Sequence, residues 1–95
     1  MFNKILIVGC GMIGSSILRA SVKKKISKKI YILEKSKNHI EQIKKLRLKC
    51  EILKDPKTQI PSVDMIIFCT HLSEYIKIFQ KISKYINKNT IVTDV

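Results

Sequence analysis

Three glycines, Gly9, Gly11 and Gly14, stand between an apolar run, Ile5-Leu6-Ile7-Val8, and an amphipathic stretch that starts Ile13-Gly14-Ser15-Ser16-Ile17-Leu18. The spacing G-x-G-x-x-G between a buried strand and a helix has a physical use for each glycine. Gly9 lets the chain leave the strand in a tight turn. Gly11, with no side chain, lets a pyrophosphate approach the backbone. Gly14 allows the helix to pack closely on the strand. The helix then directs its unpaired N–H groups and the positive end of its dipole at the phosphates. The chemistry implied is the binding of a dinucleotide, and no catalytic residue is assigned.

The motif calls for an acid about 20 residues further on, at the tip of the second strand, to accept hydrogen bonds from the adenosine ribose. Lys29-Ile30-Tyr31-Ile32-Leu33 reads as that strand and ends at Glu34, 20 positions beyond Gly14. A carboxylate there repels a 2′-phosphate, so NAD is the expected cofactor. Lys35, Ser36 and Lys37 follow at once and could welcome that phosphate, which keeps NADP open.

Ninety-five residues with 45% hydrophobic content make one small globular domain, 1–95, able to bury roughly 60% of its unfolded surface. No apolar run approaches the roughly 20 residues of a membrane-spanning helix. Met1-Phe2-Asn3-Lys4 leads straight into the first strand, so no secretory signal and a cytoplasmic location are expected. Cys10, Cys50 and Cys69 form neither a disulfide framework nor a metal spacing, and His39 and His71 are isolated, so no metal is expected. The net charge of +12 raises the question of nucleic acid. Lysine outnumbers arginine seventeen to two, and the lysines are spread over several elements without interleaved aromatics. That pattern is a solvated basic surface with nonspecific anion binding at low salt, not a specific nucleic-acid reader.

The elements that must position the motif alternate. Strands are expected at residues 4–8, 29–33, 49–53, 65–69 and 90–93, and helices at about 12–24, 37–46 and 72–86. Ile40, Ile43 and Leu46 repeat at helical spacing, with Ser36 or Asn38 as the cap. Asp55-Pro56 and Ile60-Pro61 predict a loop. Met65-Ile66-Ile67-Phe68-Cys69 is apolar without alternation, as in a strand covered on both faces. Alternating strands and helices predict an α/β fold, a Rossmann-like doubly wound parallel sheet of about five strands.

With these pieces in view, the chain resembles the N-terminal nucleotide-binding domain of prephenate and arogenate dehydrogenases. The segments that carry the resemblance are Ile5 to Ser16, Val63-Asp64-Met65-Ile66-Ile67-Phe68-Cys69-Thr70, and Ile91-Val92-Thr93-Asp94-Val95. The first is shared by many dehydrogenases. The last is more specific, since this family carries Thr-Asp-Val at the end of the fifth strand and continues into Gly-Ser. The resemblance implies an NAD(P)-dependent oxidative decarboxylation in tyrosine biosynthesis. It implies that Gly9, Gly11, Met12, Ile13 and Gly14 hold the pyrophosphate and that Glu34 holds the ribose. Cys69, Thr70 and His71, at the end of the fourth strand, would border the cofactor; the family often has proline where His71 stands.

The sequence stops at Val95, before the Gly-Ser continuation, the catalytic histidine and the helical domain of that family. The expectation is therefore a cofactor-binding domain, incomplete at its C-terminus and inactive by itself. Its partners would be a nicotinamide dinucleotide and either a separately encoded C-terminal half or a second copy. The alternatives are a stand-alone nucleotide-binding module or gene remnant without catalysis and, further off, a basic nucleic-acid-binding protein.

Overall fold

Four consecutive residues of the first strand, Ile5, Leu6, Ile7 and Val8, are each 0% exposed. Because neighbouring side chains of a strand point to opposite faces, such a run needs cover on both sides of the sheet. The computed structural model supplies it. The structure describes residues 2–9 and 11–94; the side chains of Met12, Ile13, Ser15 and Leu72 lie outside that description.

The strands are β1 (Phe2–Val8), β2 (Ser27–Leu33), β3 (Glu51–Ile52), β4 (Met65–Phe68) and β5 (Ile91–Asp94). The helices are α1 (Met12–Lys24), α2 (Lys37–Lys45), α3 (Pro56–Gln59) and α4 (Leu72–Ile82). All strand pairs are parallel, in the order β3-β2-β1-β4-β5. This is the expected doubly wound Rossmann fold. The chain winds outward from β1 through β2 to β3, then crosses back to lay β4 on the other side of β1. The reversal leaves a crevice between the carboxyl ends of β1 and β4, where open α/β sheets bind ligands.

Alternation along the strands divides the core in two. Ile5 and Ile7 join Ile30, Ile32, Leu18 of α1 and Ile43 of α2 on one face. Leu6 and Val8 join Tyr31, Ile66, Phe68 and Ile82 of α4 on the other. Phe68 fixes α4 through aromatic contacts, with ring centroids 4.3 Å from Tyr75 and 6.2 Å from Phe79. Such pairs add about 0.5–1.5 kcal/mol beyond the area they bury. Ser36 caps α2, its hydroxyl accepting from the His39 N–H at 3.4 Å. Asp64 ties the start of β4 to β1 by accepting from the Asn3 N–H at 2.7 Å.

Three local expectations are corrected. The segment expected as a loop around Asp55-Pro56 and Ile60-Pro61 is helical, α3 followed by a 3₁₀ turn at Ile60–Ser62. Pro56 occupies the first turn, where its missing N–H costs nothing, and Asp55 caps it by accepting from the Lys57 N–H. The third strand shrinks to two residues, and the last helix ends at Ile82 before a 3₁₀ turn at Ser83–Tyr85. Among the described residues no helix is long and apolar enough to cross a membrane.

Candidate functional site

The loop after β1 is held between the ends of β2 and β4. The Gly9 N–H donates to the Leu33 carbonyl at the end of β2, at 2.8 Å, and the Cys69 N–H donates to the Val8 carbonyl, also at 2.8 Å. Gly9 adopts φ +81°, in the left-handed region that disfavours side chains. A Cβ on Gly9 would run into the methyl of Thr70. A Cβ on Gly14 would run into the Gly9 carbonyl oxygen, with Cys69 Cβ 3.5 Å away. The protein's own packing therefore requires glycine at both positions.

Gly11 is different. Among the described residues a Cβ built there meets nothing within 4 Å, and its φ of −76° is not in the left-handed region. Gly11 is the N-cap of α1 and makes no side-chain cap. The first turn of α1 holds no acidic residue, while Lys23 and Lys24 lie in its last turn. The positive end of the helix dipole therefore points into the crevice without a carboxylate in that turn to neutralise it. Cys10 lies outside the described residues, as do the side chains of Met12 and Ile13, whose backbone opens α1.

From this loop a cleft of about 560 Å³ runs toward the end of β2, bordered by Gly9, Thr70, Glu34, Lys35, Glu74 and Lys77. Thr70 Oγ1 is buried with no hydrogen-bond partner among the described residues. An unpaired buried hydroxyl costs about 1–3 kcal/mol, so a ligand group that pairs with it gains accordingly. Glu34 is only 8% exposed at its side chain. Its carboxylate accepts from the Ser36 N–H at 3.0 Å and stands 3.4 Å from His39 Nδ1. Lys35 reaches across the cleft to Glu74 at 2.8 Å. That ammonium, by hydrogen bond and charge, holds the Glu74 carboxyl below the usual carboxylate range, with Lys77 and Lys81 adding to the effect.

The structure thus brings Gly9, Glu34 and Thr70 to one cleft and opens Gly11 to the crevice beside it. It places Cys69 differently. That side chain is half-buried against the α1 face of the core, next to Gly14. His71 is exposed at the N-cap of α4, where its side chain makes no cap. The sequence reading passed over Glu74, Lys77 and Lys81. Their spacing on the polar side of α4, together with the helix's strong apolar stripe, is the signal that locates them. Among the described residues no cluster of His, Cys, Asp or Glu could hold a metal ion. Cys50 lies outside the cleft, and burial pushes its thiol up.

A left-handed glycine turn, an open helix N-terminus and an acid at the tip of β2 define a dinucleotide-binding α/β domain. The chain belongs to the family described as NADP oxidoreductase, coenzyme F420-dependent, whose model matches residues 4–95. No curated protein matches the sequence. Among solved structures, the chain is similar to a prephenate dehydrogenase from A. aeolicus in complex with hydroxyphenyl propionate and NAD+. The TM-score is 0.83 at 21% identity, over 99% of this chain and 33% of that one. An arogenate dehydrogenase from Synechocystis gives a TM-score of 0.75 at 22% identity, over 97% of this chain and 32% of that one. An imine reductase variant from Myxococcus stipitatus in complex with NAD+ gives 0.77 at 13% identity, over 100% of this chain and 32% of that one. The chain thus spans about a third of the length of these structures, and at these identities the likeness is one of fold.

The cofactor of this fold is a nicotinamide dinucleotide, and the residues present fit it. The space over Gly11 admits a phosphate to the backbone, the α1 N-terminus supplies donors, and Thr70 Oγ1 offers an unused polar atom.

Proposed function

We propose that this chain is the dinucleotide-binding domain of a dehydrogenase of the prephenate and arogenate type. In this reading Gly9, Gly11, Met12, Ile13 and Gly14 form the pyrophosphate cradle and Glu34 faces the adenosine ribose. Cys69, Thr70 and His71 border the cofactor, with Thr70 contributing a hydrogen bond and Cys69 supporting the loop from beneath. The observation that carries the reading is the open space over Gly11, between two glycines that packing requires. A turn that served only to connect a strand to a helix has no need of glycine where a side chain would meet no described atom.

The cofactor, when bound, supplies the acceptor for a hydride leaving the substrate ring as carbon dioxide departs and the ring becomes aromatic. The chain's own residues bind and orient it. Positioning a substrate against the nicotinamide supplies up to about 7–11 kcal/mol of barrier reduction, and in this reading that step is not assigned to any residue of the cleft. By itself, then, domain 1–95 binds without turning over. Ile91, 52% exposed on the edge strand β5, Val92 beside it and Ile76 on α4 support cover by a separate half or a second copy.

Titration calorimetry of the 95-residue chain with NAD and NADP tests the binding. Saturable heat at one dinucleotide per chain is expected, and its absence with both would end the proposal. A nicotinamide absorbance assay with prephenate and with arogenate tests the rest. Background rates are expected, and turnover above them would show that the domain suffices for catalysis.

A further inference from the structure

An ion pair crosses the cleft and ties the end of β2 to α4. Lys35 follows Glu34 directly, and its backbone is set by an anchored neighbour, since the Ser36 N–H donates to Glu34 and Ser36 caps α2. Glu74 lies in the first turn of α4, 39 residues away in sequence. That turn is fixed through the next residue, Tyr75. Its N–H donates to the His71 carbonyl at 2.8 Å, and its ring packs on Phe68 with centroids 4.3 Å apart. Lys35 Nζ donates to Glu74 Oε2 at 2.8 Å, and both residues line the cleft that Glu34 borders.

The two partners differ in freedom. The Glu74 side chain is 33% exposed and that of Lys35 77%, so the ammonium, on its flexible four-carbon stem, is the partner able to change hands. The helix dipole accounts for an acid in the first turn of α4, but not for its contact with the residue after Glu34. A basic residue near the ribose acid is what accommodates a 2′-phosphate in this fold. We infer that Glu74 is a positioning residue for cofactor preference, which holds the Lys35 ammonium against α4 and so withholds it from the 2′-phosphate of NADP.

Glu74 and a 2′-phosphate compete for one ammonium. NADP gains the lysine only if the bridge breaks, whereas NAD, with no 2′-phosphate, leaves the bridge in place. The bridge therefore weighs against NADP alone. Exposed pairs of this kind are modest, so the penalty is roughly two- to fivefold in affinity. Two acids on separate elements then favour NAD by different means: Glu34 by repulsion at the tip of β2, and Glu74 by withdrawing a cation. Glu34, Lys77 and Lys81 also border the cleft and are the same in every variant compared below.

This inference rests on the binding proposed above, and its test separates the two. Dissociation constants of NAD and NADP are measured by calorimetry for wild type, Glu74→Gln, Lys35→Met and the double variant. Salt is held at about 0.15 M, where exposed charges more than about 8 Å apart are largely screened. Glutamine keeps the size of the side chain and removes the charge that holds Lys35. With Lys35 present, Glu74→Gln should lower the ratio Kd(NADP)/Kd(NAD) roughly two- to fivefold. In the Lys35→Met background the same substitution should change the ratio little, because no ammonium remains to release. An equal fall in both backgrounds would overturn the inference, since Glu74 would then act by its own charge. So would a ratio unmoved by Glu74→Gln in a protein that binds both dinucleotides. Failure of wild type to bind either dinucleotide would sink the parent reading, and this inference with it. Melting temperatures taken on the same samples establish that each variant is folded.

Discussion

Gly9 and Gly14 face protein, whereas Gly11 meets no described atom, although all three lie within six residues at the junction of β1 and α1. The first two are where the chain turns under itself: Gly9 in a left-handed conformation against Thr70, and Gly14 where α1 rests on the Gly9 carbonyl. The third meets no such demand among the described residues. The difference separates what folding needs from what a ligand needs, and it does so among residues of one type. Substitutions should therefore sort cleanly, with two positions failing in stability and one failing only in binding.

The largest effects belong to the packed pair. Gly14→Ala presses a methyl group into a backbone carbonyl, which cannot yield without moving the loop, and should cost about 1–3 kcal/mol. Gly9→Ala places a side chain at φ +81° and should cost about 1–2 kcal/mol before the contact with Thr70 is counted. In a domain of this size each kcal/mol lowers the melting temperature by roughly 4–8 °C, which a circular dichroism melt resolves. Wild-type melting of either variant would erase the distinction between the packed and open glycines.

A smaller effect is expected at the cleft's far end. Glu34→Gln keeps an oxygen to accept from the Ser36 N–H but removes the charge that faces a 2′-phosphate. The ratio Kd(NADP)/Kd(NAD) should fall roughly tenfold, about 1.4 kcal/mol for a lost charge-assisted contact and relieved repulsion. An unchanged ratio would take Glu34 out of the ribose site and leave the glycine loop as the only supported part of it.

The smallest effect concerns the exposed Lys35–Glu74 bridge across the cleft. Glu74 is held below the usual carboxylate range by Lys35, so the bridge's contribution is present above that range. It is lost as pH falls through the lowered value, where Glu74 protonates. Lys35→Met should therefore lower the melting temperature slightly at neutral pH, and the difference should shrink as pH falls below the usual carboxylate range. A difference that persists in acid would mean that Lys35 acts through packing instead of charge.

Much of the scaffold was legible because burial on both faces leaves a distinctive trace. Ile5 to Val8 and Met65 to Phe68 are apolar without alternation, and α4 carries its core residues at helical spacing. Pro56 misled because proline is a breaker only inside a helix; at the first turn, behind an Asp55 cap, it is accommodated. The short β3 was faint because a two-residue strand has no period to read. In the candidate site, spacing alone pointed to the glycine loop and to Glu34, and the structure brings Gly9 and Glu34 to one cleft. The Glu34–His39 contact was out of reach, since it depends on how the corner between β2 and α2 folds. Lys77 and Lys81 were hidden among seventeen lysines until the packing of α4 showed which ones border the cleft.

The most direct test of the account is Gly11→Val, measured by calorimetry with NAD and by thermal melting on the same sample. Open space at that position predicts a melting temperature close to wild type, because a Cβ there meets no described atom within 4 Å. A cofactor phosphate brought against the backbone predicts that NAD binding, present in wild type, is abolished. Binding that survives unchanged in a folded Gly11→Val protein would contradict the proposed cradle.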